Sequence, residues 1–244
     1  MGSTAISVEN LLFSYDSRPP LLRDISFKVT EGELIAIVGA SGSGKTTLCR
    51  ILSGIIPHAV KGSVEGNITV MDINPLSAGL PKTSHKVGMV FQDSDSQIIC
   101  TTVEDEIAFS LENLCVSPVQ INIRVNELLS EFGLENERLA NPNQLSGGKK
   151  KLLTIASVLA SSPPILILDE PLESLDDENA NLVLKTIDAL RQQRRTIIVV
   201  EHDLRSVMTA DKWLLLSEGT MAAYGKPCEI MHDEEKLRNL GVWP

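Results

Sequence analysis

Apolar residues follow two kinds of pattern in the first part of the chain. Residues 5–17 begin with alternating apolar positions, and residues 21–29 do so again after a proline-containing break. Alternation of this kind predicts β-strands with one buried face. The run 34-LIAIVG-39 is apolar throughout, which is typical of a strand buried on both faces in a parallel sheet. A helix is expected from about Lys45 to Gly54.

The pattern changes between about Asp93 and Ser162. Apolar residues recur there at helical spacing in 103–114 and 121–134, which predicts a helical insertion. Strand-like apolar runs then return and alternate with a helix: 165–170, a helix over about 178–193, 196–202 and 213–219, before a short helical tail. Apolar strands that alternate with helices predict an α/β fold around a mainly parallel sheet.

Composition and charge narrow the class of protein. The 244 residues are 43% hydrophobic and 22% charged, a globular composition that allows one large domain or two joined subdomains. The 32 acidic and 22 basic residues give a formal net charge of −10, which opposes bulk binding to nucleic acid or anionic membranes. No apolar run approaches the roughly 18–20 residues that a membrane span needs. Widely spaced cysteines without a C-x-x-C pair predict reduced thiols.

A phosphate-binding loop is the strongest local motif. The segment 39-GASGSGKT-46 matches G-x-x-x-x-G-K-[ST] and lies between a predicted strand and a predicted helix. Glycines let successive backbone N–H groups point at a phosphate, and the helix N-terminus adds positive partial charge. The alternative is a plain Gly/Ser-rich turn before a helix. The presence of both a predicted strand before the segment and a predicted helix after it disfavours that alternative.

Individual residues of this loop have expected roles. Lys45 is expected to reach the β- and γ-phosphates, the Thr46 hydroxyl to ligate Mg²⁺ and Thr47 to reach the α-phosphate. The other nucleotide-binding residues predicted here are Gly39, Ser41, Gly42, Ser43 and Gly44.

Two carboxylates follow the apolar run 165-ILIL-168. Charged residues at the carboxyl end of a buried parallel strand lie where open α/β sheets bind ligands. We expect Asp169 to hold Mg²⁺ through water and Glu170 to polarise an attacking water, because phosphoryl transfer depends on positioning and charge stabilisation. The alternative is a solvated pair at a strand end, which the nearby phosphate loop disfavours.

A phosphate loop occurs in many families, and the segment 145-LSGGK-149 distinguishes among them. It resembles the signature Leu-Ser-Gly-Gly-Gln of the nucleotide-binding subunits of ABC transporters, with Lys149 where the family usually has Gln. The resemblance covers nearly the whole chain, with motifs in the family's order: Tyr15, the 39–46 loop, Gln92, residues 145–149, residues 165–170, 174-SLD-176 and His202. The family's Gln makes contacts near the sugar of the nucleotide, and with Lys149 in its place those contacts do not carry over to this chain.

The resemblance implies a fold and a division of the chain. The fold class is α/β of the P-loop NTPase kind, with a RecA-like parallel sheet core, an N-terminal antiparallel β part and a helical ABC subdomain. The implied parts are the first part of the nucleotide-binding core (1–92), the helical subdomain with the signature (93–162), the second part of the core (163–230) and a C-terminal tail (231–244).

The resemblance also implies catalytic and adenine-binding roles. Gln92 would ligate Mg²⁺ and join the core to the helical subdomain, so it would act in catalysis with Glu170. His202 would hydrogen-bond the γ-phosphate, the alternative being a polar residue that caps a strand. Tyr15 would stack on adenine, the alternative being simple packing.

The signature implies a dimer. Ser146, Gly147 and Gly148 would bind the γ-phosphate of an ATP held by a second subunit, identical or related, so that two subunits pack head-to-tail. Lysines in the first turn of the signature helix oppose the helix dipole, which suits an anion docked there. For Lys150 and Lys151 a solvated face is an equally good explanation.

The stretch 89–114 resembles the Gln-loop region of energy-coupling factor (ECF) transporter ATPases. The likeness is carried by Gln97, Thr102, Val103, Glu104 and Asp105. It implies a subunit that hydrolyses ATP to drive import of a vitamin or a transition-metal ion. Its partners would be integral membrane subunits, through which it would sit at the cytoplasmic face of the cell membrane without touching the lipid itself.

Two other functions stay open. One is the ATPase of an ordinary ABC importer. The other is a soluble ABC ATPase that acts on nucleic acid or ribosomes, which the single set of motifs and the acidic charge argue against, so no nucleic acid partner is expected. Asp93 and Asp95 are candidates for charge-assisted hydrogen bonds to arginines of an ECF scaffold subunit.

Overall fold

The computed structural model describes residues 2–16, 18–202, 204–233, 237–238 and 242. Its strands in chain order are β1 Thr4–Ser14, β2 Leu22–Thr30, β3 Leu34–Val38, β4 Ser63–Val70, β5 Val87–Val90, β6 Ile165–Asp169, β7 Thr196–Glu201, β8 Lys212–Ser217 and β9 Thr220–Gly225. Its α-helices are α1 Lys45–Leu52, α2 Ile55–His58, α3 Pro75–Ala78, α4 Leu80–Ser84, α5 Val103–Asn113, α6 Pro118–Glu131, α7 Gly147–Ala160, α8 Asp177–Gln192 and α9 Pro227–Met231. Short 3-10 turns lie at Glu135–Glu137, Pro142–Gln144 and Leu204–Val207.

The larger sheet has the strand order β5-β6-β7-β3-β8-β9. Its neighbouring strands pair in parallel except β8 and β9, which form an antiparallel pair. Every residue of β3, β6 and β7 is buried, which explains why these strands are apolar without alternation. The predicted mainly parallel sheet is confirmed, and its carboxyl edge carries both the phosphate loop and the Asp169-Glu170 pair.

The smaller sheet is antiparallel, with the order β2-β1-β4. It confirms the expected N-terminal antiparallel part. Strand β4 was not predicted, because most of its residues are polar or exposed and only Ile68 and Val70 are buried. Two other strands were not predicted either: β9 has no fully buried residue, and β5 has only four residues.

Helices α5, α6 and α7 pack against one another. Along the chain they lie between strands β5 and β6 of the larger sheet. Each begins at a side-chain cap: Thr102, Ser117 and Ser146 accept hydrogen bonds from backbone N–H groups in the first turn. Helix α6 begins at Pro118, earlier than its apolar period indicates, because proline is well suited to the first helical position. All three helices lie within the predicted 93–162 segment, and their buried faces share one core with the larger sheet.

All four cysteines, Cys49, Cys100, Cys115 and Cys228, are free thiols in the structure. Within the described residues, no helix combines the length and the apolar character of a membrane span. Most of the predicted helical tail at 231–244 lies outside the described residues.

Candidate active site

The phosphate loop connects β3 to α1, as its motif requires. Gly44 has a φ of 101°, and a Cβ there would lie 2.5 Å from Leu22 Cδ2. A Cβ on Gly39 would lie 2.3 Å from the Leu216 carbonyl oxygen. Only glycine fits these two positions, because one has a left-handed backbone and the other meets a neighbouring backbone at close range.

Lys45 lies inside this loop. Its Nζ donates to the carbonyl oxygens of Gly39 at 2.7 Å and Ala40 at 3.1 Å, and the residue is only 6% exposed. Burial lowers the pKa of Lys45, and the negative charges of Glu170 and Asp169 oppose that change. The ammonium group is therefore held at the mouth of the loop beside two carboxylates.

Asp169 is a buried carboxylate whose two oxygens accept no hydrogen bond of good geometry from the described residues, although the Thr46 hydroxyl lies near it. Burial raises its pKa, against the opposing effects of the Thr46 hydroxyl and the positive charges of Arg50 and Lys45. The Ser43 hydroxyl is also buried and unpaired. Buried oxygens without a partner cost folding free energy unless a ligand binds them. Mg²⁺ prefers oxygen ligands, so these groups fit a magnesium site.

Glu170 follows Asp169 at the end of β6, with a positive φ of 49° that is uncommon for a non-glycine residue. Gln92 Nε2 donates to Glu170 Oε2 at 2.9 Å and to Glu173 Oε2 at 3.1 Å. His202 Nδ1 lies 3.9 Å from the same Glu170 oxygen, and the His202 side chain is 63% exposed. The three predicted catalytic residues, Gln92, Glu170 and His202, therefore meet at one place.

A cleft of about 590 Å³ joins the phosphate loop to this group. The predicted residues that line it are Ser41, Gly42, Gly44, Lys45, Thr46, Thr47, Gln92, Glu170 and His202. Leu21 and Glu173 also line it and were not predicted. Glu173 could have been noticed as a second acid three residues after Glu170, whereas Leu21 carries no motif at all.

Tyr15 lies beside the cleft but is not among its lining residues. Its hydroxyl is 3.1 Å from Thr47 Oγ1, and its ring packs edge-on against Phe13 with a centroid distance of 4.7 Å. The residue is partly exposed next to the loop. Contact with a nucleotide and packing on Phe13 are therefore compatible.

The signature residues Ser146, Gly147 and Gly148 lie at the start of α7, and none of them lines the cleft. Ser146 caps the helix by accepting from the Lys149 backbone N–H at 3.3 Å. Ser146 and Gly147 are exposed. The structure thus brings most predicted site residues together and leaves the signature on a separate surface.

Glu201 is a further buried acid that the sequence analysis missed. It ends β7 just before His202 and is 3% exposed, and its Oε1 accepts from the Leu172 backbone N–H at 3.3 Å. Burial raises its pKa from 4.5 to about 7. Its signal in the sequence is the same as that of Asp169, an acid at the end of an apolar strand. Among the described residues, no cluster of three His, Cys, Asp or Glu side chains is arranged to hold a metal.

Comparison with known proteins identifies the family. The ABC transporter family matches residues 22–173. A putative ABC transporter ATP-binding protein of Pyrococcus abyssi is 40% identical over 97% of this chain and 86% of its own length. Another, of Methanosarcina mazei, is 37% identical over 99% of the chain, which spans only 42% of that relative. The energy-coupling factor transporter ATP-binding protein EcfA1 of Levilactobacillus brevis is 35% identical over 99% of the chain and 86% of its own length.

Solved structures agree with this assignment. CbiO1 of Clostridium perfringens, part of the ABC transporter complex cbiONQ, superposes with a TM-score of 0.82 and 30% identity over 98% of this chain and 95% of its own. The dimeric ATP-binding cassette MJ0796, bound to ADP and Pi, has a TM-score of 0.81 and 26% identity over 91% of this chain and 98% of its own. The chain belongs to the ABC transporter family and is an ATP-binding ATPase of that family.

Proposed function

We propose that this protein is the ATPase subunit of an ECF-type importer, in which ATP binding and hydrolysis drive uptake of a vitamin or a transition-metal ion. The observation that carries the proposal is the position of Gln97. Its Oε1 accepts from the Phe91 backbone N–H at 2.9 Å and its Nε2 donates to the Met89 carbonyl at 2.9 Å. The second glutamine of the ECF-like stretch therefore closes the loop that presents Gln92, which gives the sequence likeness a physical reason.

The cleft supplies what ATP hydrolysis needs. The backbone of the phosphate loop and the Lys45 ammonium group are placed to bind the phosphates. The Asp169 oxygens, the Thr46 hydroxyl and Gln92 would hold Mg²⁺, which when bound would supply positive charge against the charge that develops on the phosphates. Glu170 accepts a proton from, or polarises, the attacking water, because Gln92 fixes its carboxylate at 2.9 Å.

His202 and Tyr15 complete the proposed nucleotide contacts. The exposed His202 imidazole lies close enough to Glu170, at 3.9 Å, to contact a γ-phosphate that the carboxylate's water attacks. The Tyr15 ring, held by Phe13 and Thr47, offers a face to adenine. Stacking of this kind contributes about 1–3 kcal/mol in nucleic acid complexes.

A second subunit completes the site. Because Ser146, Gly147 and Gly148 lie outside the cleft of their own chain, we propose that they bind the γ-phosphate of ATP on a partner, identical or related, packed head-to-tail. The exposed N-terminus of α7 offers backbone N–H groups and a positive partial charge to that phosphate. Closure around ATP and reopening after hydrolysis would then move the membrane partners.

Membrane partners are proposed to dock near residues 93–95, at the cytoplasmic face of the membrane. Asp95 is 67% exposed but already pairs with Lys150 Nζ at 2.6 Å, and Asp93 Oδ1 accepts from the Asp95 backbone N–H at 3.0 Å. An arginine of a scaffold subunit would therefore share Asp95 with Lys150. Both acids therefore stay candidates for charge-assisted hydrogen bonds to an arginine of the scaffold subunit.

Purification of the tagged protein from detergent-solubilised native membranes, followed by mass spectrometry, tests the proposal. Co-purification of a small substrate-binding membrane protein and a scaffold membrane protein is the predicted result. A conventional permease pair would instead make the protein the ATPase of an ordinary importer. Recovery with ribosomes or nucleic acid and without membrane proteins would overturn a transport role. The variant Asp93→Asn/Asp95→Asn, compared with Glu9→Gln on the distant β1 strand, tests whether the two acids take part in assembly.

A further inference from the structure

Two lysines near the start of α7, Lys150 and Lys151, bind the glutamine loop, defined here as residues 91–97. Lys151 Nζ donates to the Gln92 carbonyl at 2.7 Å and to the Phe91 carbonyl at 3.4 Å. Lys150 Nζ lies 2.6 Å from Asp95 Oδ1 on the same loop. Lys151 thus binds the beginning of the loop and Lys150 binds its middle.

Lys151 is not a surface lysine. It is 4% exposed, so the solvated face that the sequence allowed is excluded for this residue. A buried ammonium group is unfavourable because it has lost its water. The bonds to the loop carbonyls and the acidic surroundings of Glu173 and Asp169 compensate for that cost. A lysine that is buried at this cost therefore indicates a specific interaction with the loop, not a role in solubility.

The loop that these lysines grip is itself internally closed. The Gln97 side chain bonds the Phe91 backbone N–H and the Met89 carbonyl, and the Ser96 hydroxyl donates to the Asp93 carbonyl at 2.8 Å. A closed loop transmits a displacement at one end to the other. The Gln92 side chain projects from it to Glu170 at 2.9 Å.

We propose that Lys151, assisted by Lys150, is a positioning residue that fixes the glutamine loop to the N-terminal half of α7. Gln92, at the hydrolytic end, and Ser146, which caps the same helix, then move as one unit. The consequence rests on the proposed function, in which Ser146 meets the ATP of a second subunit: binding of that ATP at the signature would hold Gln92 in its contact with Glu170 in the chain that carries the signature. The lock itself does not depend on that function.

Hydrogen exchange of the nucleotide-free full chain tests the lock directly. In Lys151→Met, amides of residues 91–97 are expected to exchange about tenfold faster than in the wild type, the effect of losing a hydrogen bond to a charged group. The matched control is Arg124→Met, which removes a bond from Arg124 Nη2 to the Leu159 carbonyl at 3.1 Å, at the other end of α7. Wild-type exchange at 91–97 in Lys151→Met would overturn the lock. Should that variant not fold, Asp95→Ala removes the acceptor of the Lys150 bond and is expected to loosen the same amides, with unchanged exchange again contradicting the proposal.

ATPase kinetics test whether the lock positions Gln92. Lys151→Met is expected to lower kcat about tenfold with little change in KM, because the phosphate loop is untouched, and Lys151→Arg is expected to restore most of the rate. In a Gln92→Ala background the same substitution should add little further loss. Full additivity of the two losses would show that Lys151 acts on stability alone and would overturn the positioning role.

A third measurement separates this proposal from the proposed function. Glu170→Gln is expected to dimerise with Mg²⁺ and ATP, and Glu170→Gln/Lys151→Met to need about tenfold more ATP to do so. Equal ATP dependence of the two proteins would overturn the link between the loop and the signature. Failure of Glu170→Gln itself to dimerise would contradict the proposed dimer, while the exchange experiment would still decide the lock.

Discussion

The side-chain amide of Gln92 donates to the Glu170 carboxylate at 2.9 Å, across 78 positions of sequence. The same amide donates to Glu173 at 3.1 Å. One glutamine therefore holds two acids at the edge of the phosphate cleft. Of these two, Glu170 also lies 3.9 Å from His202, which makes it the better candidate for activating water.

The first prediction concerns this difference between the two acids. Glu170→Gln should bind ATP but hydrolyse it about a hundredfold more slowly, because a neutral amide cannot act as a general base. Glu173→Gln is the matched control and should lose much less activity. Single-turnover hydrolysis under saturating Mg²⁺ and ATP measures both. Wild-type turnover by Glu170→Gln would show that another group activates the water.

The second prediction is a gain of stability. Because burial raises the pKa of Asp169, the charged form of this carboxyl is disfavoured in the fold, so Asp169→Asn should raise the free energy of unfolding. The same variant should lose Mg²⁺-dependent hydrolysis. Urea denaturation without nucleotide and ATPase assays with Mg²⁺ give the two readouts. A less stable variant would contradict an unpaired, unfavourable carboxylate at this position.

The third prediction is a pH dependence. The pKa of Glu201 is about 7 in the fold against an ordinary 4.5, so between these values the folded chain holds a proton that the unfolded chain has released. Its contribution to stability is full below about pH 4.5 and is lost as the pH rises toward 7, a change of about 3 kcal/mol at roughly 1.4 kcal/mol per unit. Glu201→Gln keeps an acceptor for the Leu172 N–H and removes this titration. Unfolding free energies at both ends of that range should therefore differ less in the variant, and an identical pH dependence would contradict the shifted pKa.

The fourth prediction separates adenine stacking from packing at Tyr15. Tyr15→Phe loses the hydroxyl contact with Thr47 but keeps the ring, so ATP affinity should change little. Tyr15→Leu loses the ring, and the Kd for ATP should rise about tenfold if the ring stacks on adenine. Isothermal titration measures both variants. A Tyr15→Leu protein that is less stable but binds ATP normally would make the ring a packing residue only.

Much of the fold could be predicted because its central elements have simple patterns. Strands β3, β6 and β7 are apolar throughout since both faces are buried, and α8 follows a helical period. Edge strands could not be found in this way, because β4 is mostly exposed and β9 only partly buried. The phosphate loop and the 169–170 carboxylates were predictable since their spacing carries the chemistry.

What the sequence could not predict depends on distant contacts. Lys151 belongs to a run of three lysines, which is typical of a solvent-facing turn, yet it is buried by carbonyls 59 and 60 positions earlier in the chain. Asp95 pairs with Lys150 of the same chain, a contact that the local sequence does not indicate. Charged side chains of this kind are placed by tertiary structure, and local composition does not reveal their partners.

The most direct test of the account is whether the signature acts on the ATP of a second chain. In a Glu170→Gln background, which slows hydrolysis, light scattering after size-exclusion chromatography reports dimers formed with Mg²⁺ and ATP. The account predicts an ATP-dependent dimer for Glu170→Gln and a monomer that still binds ATP for Glu170→Gln/Ser146→Arg, because the arginine occupies the exposed N-terminus of α7. Full ATP-dependent dimerisation of the double variant would contradict a signature that works across the interface.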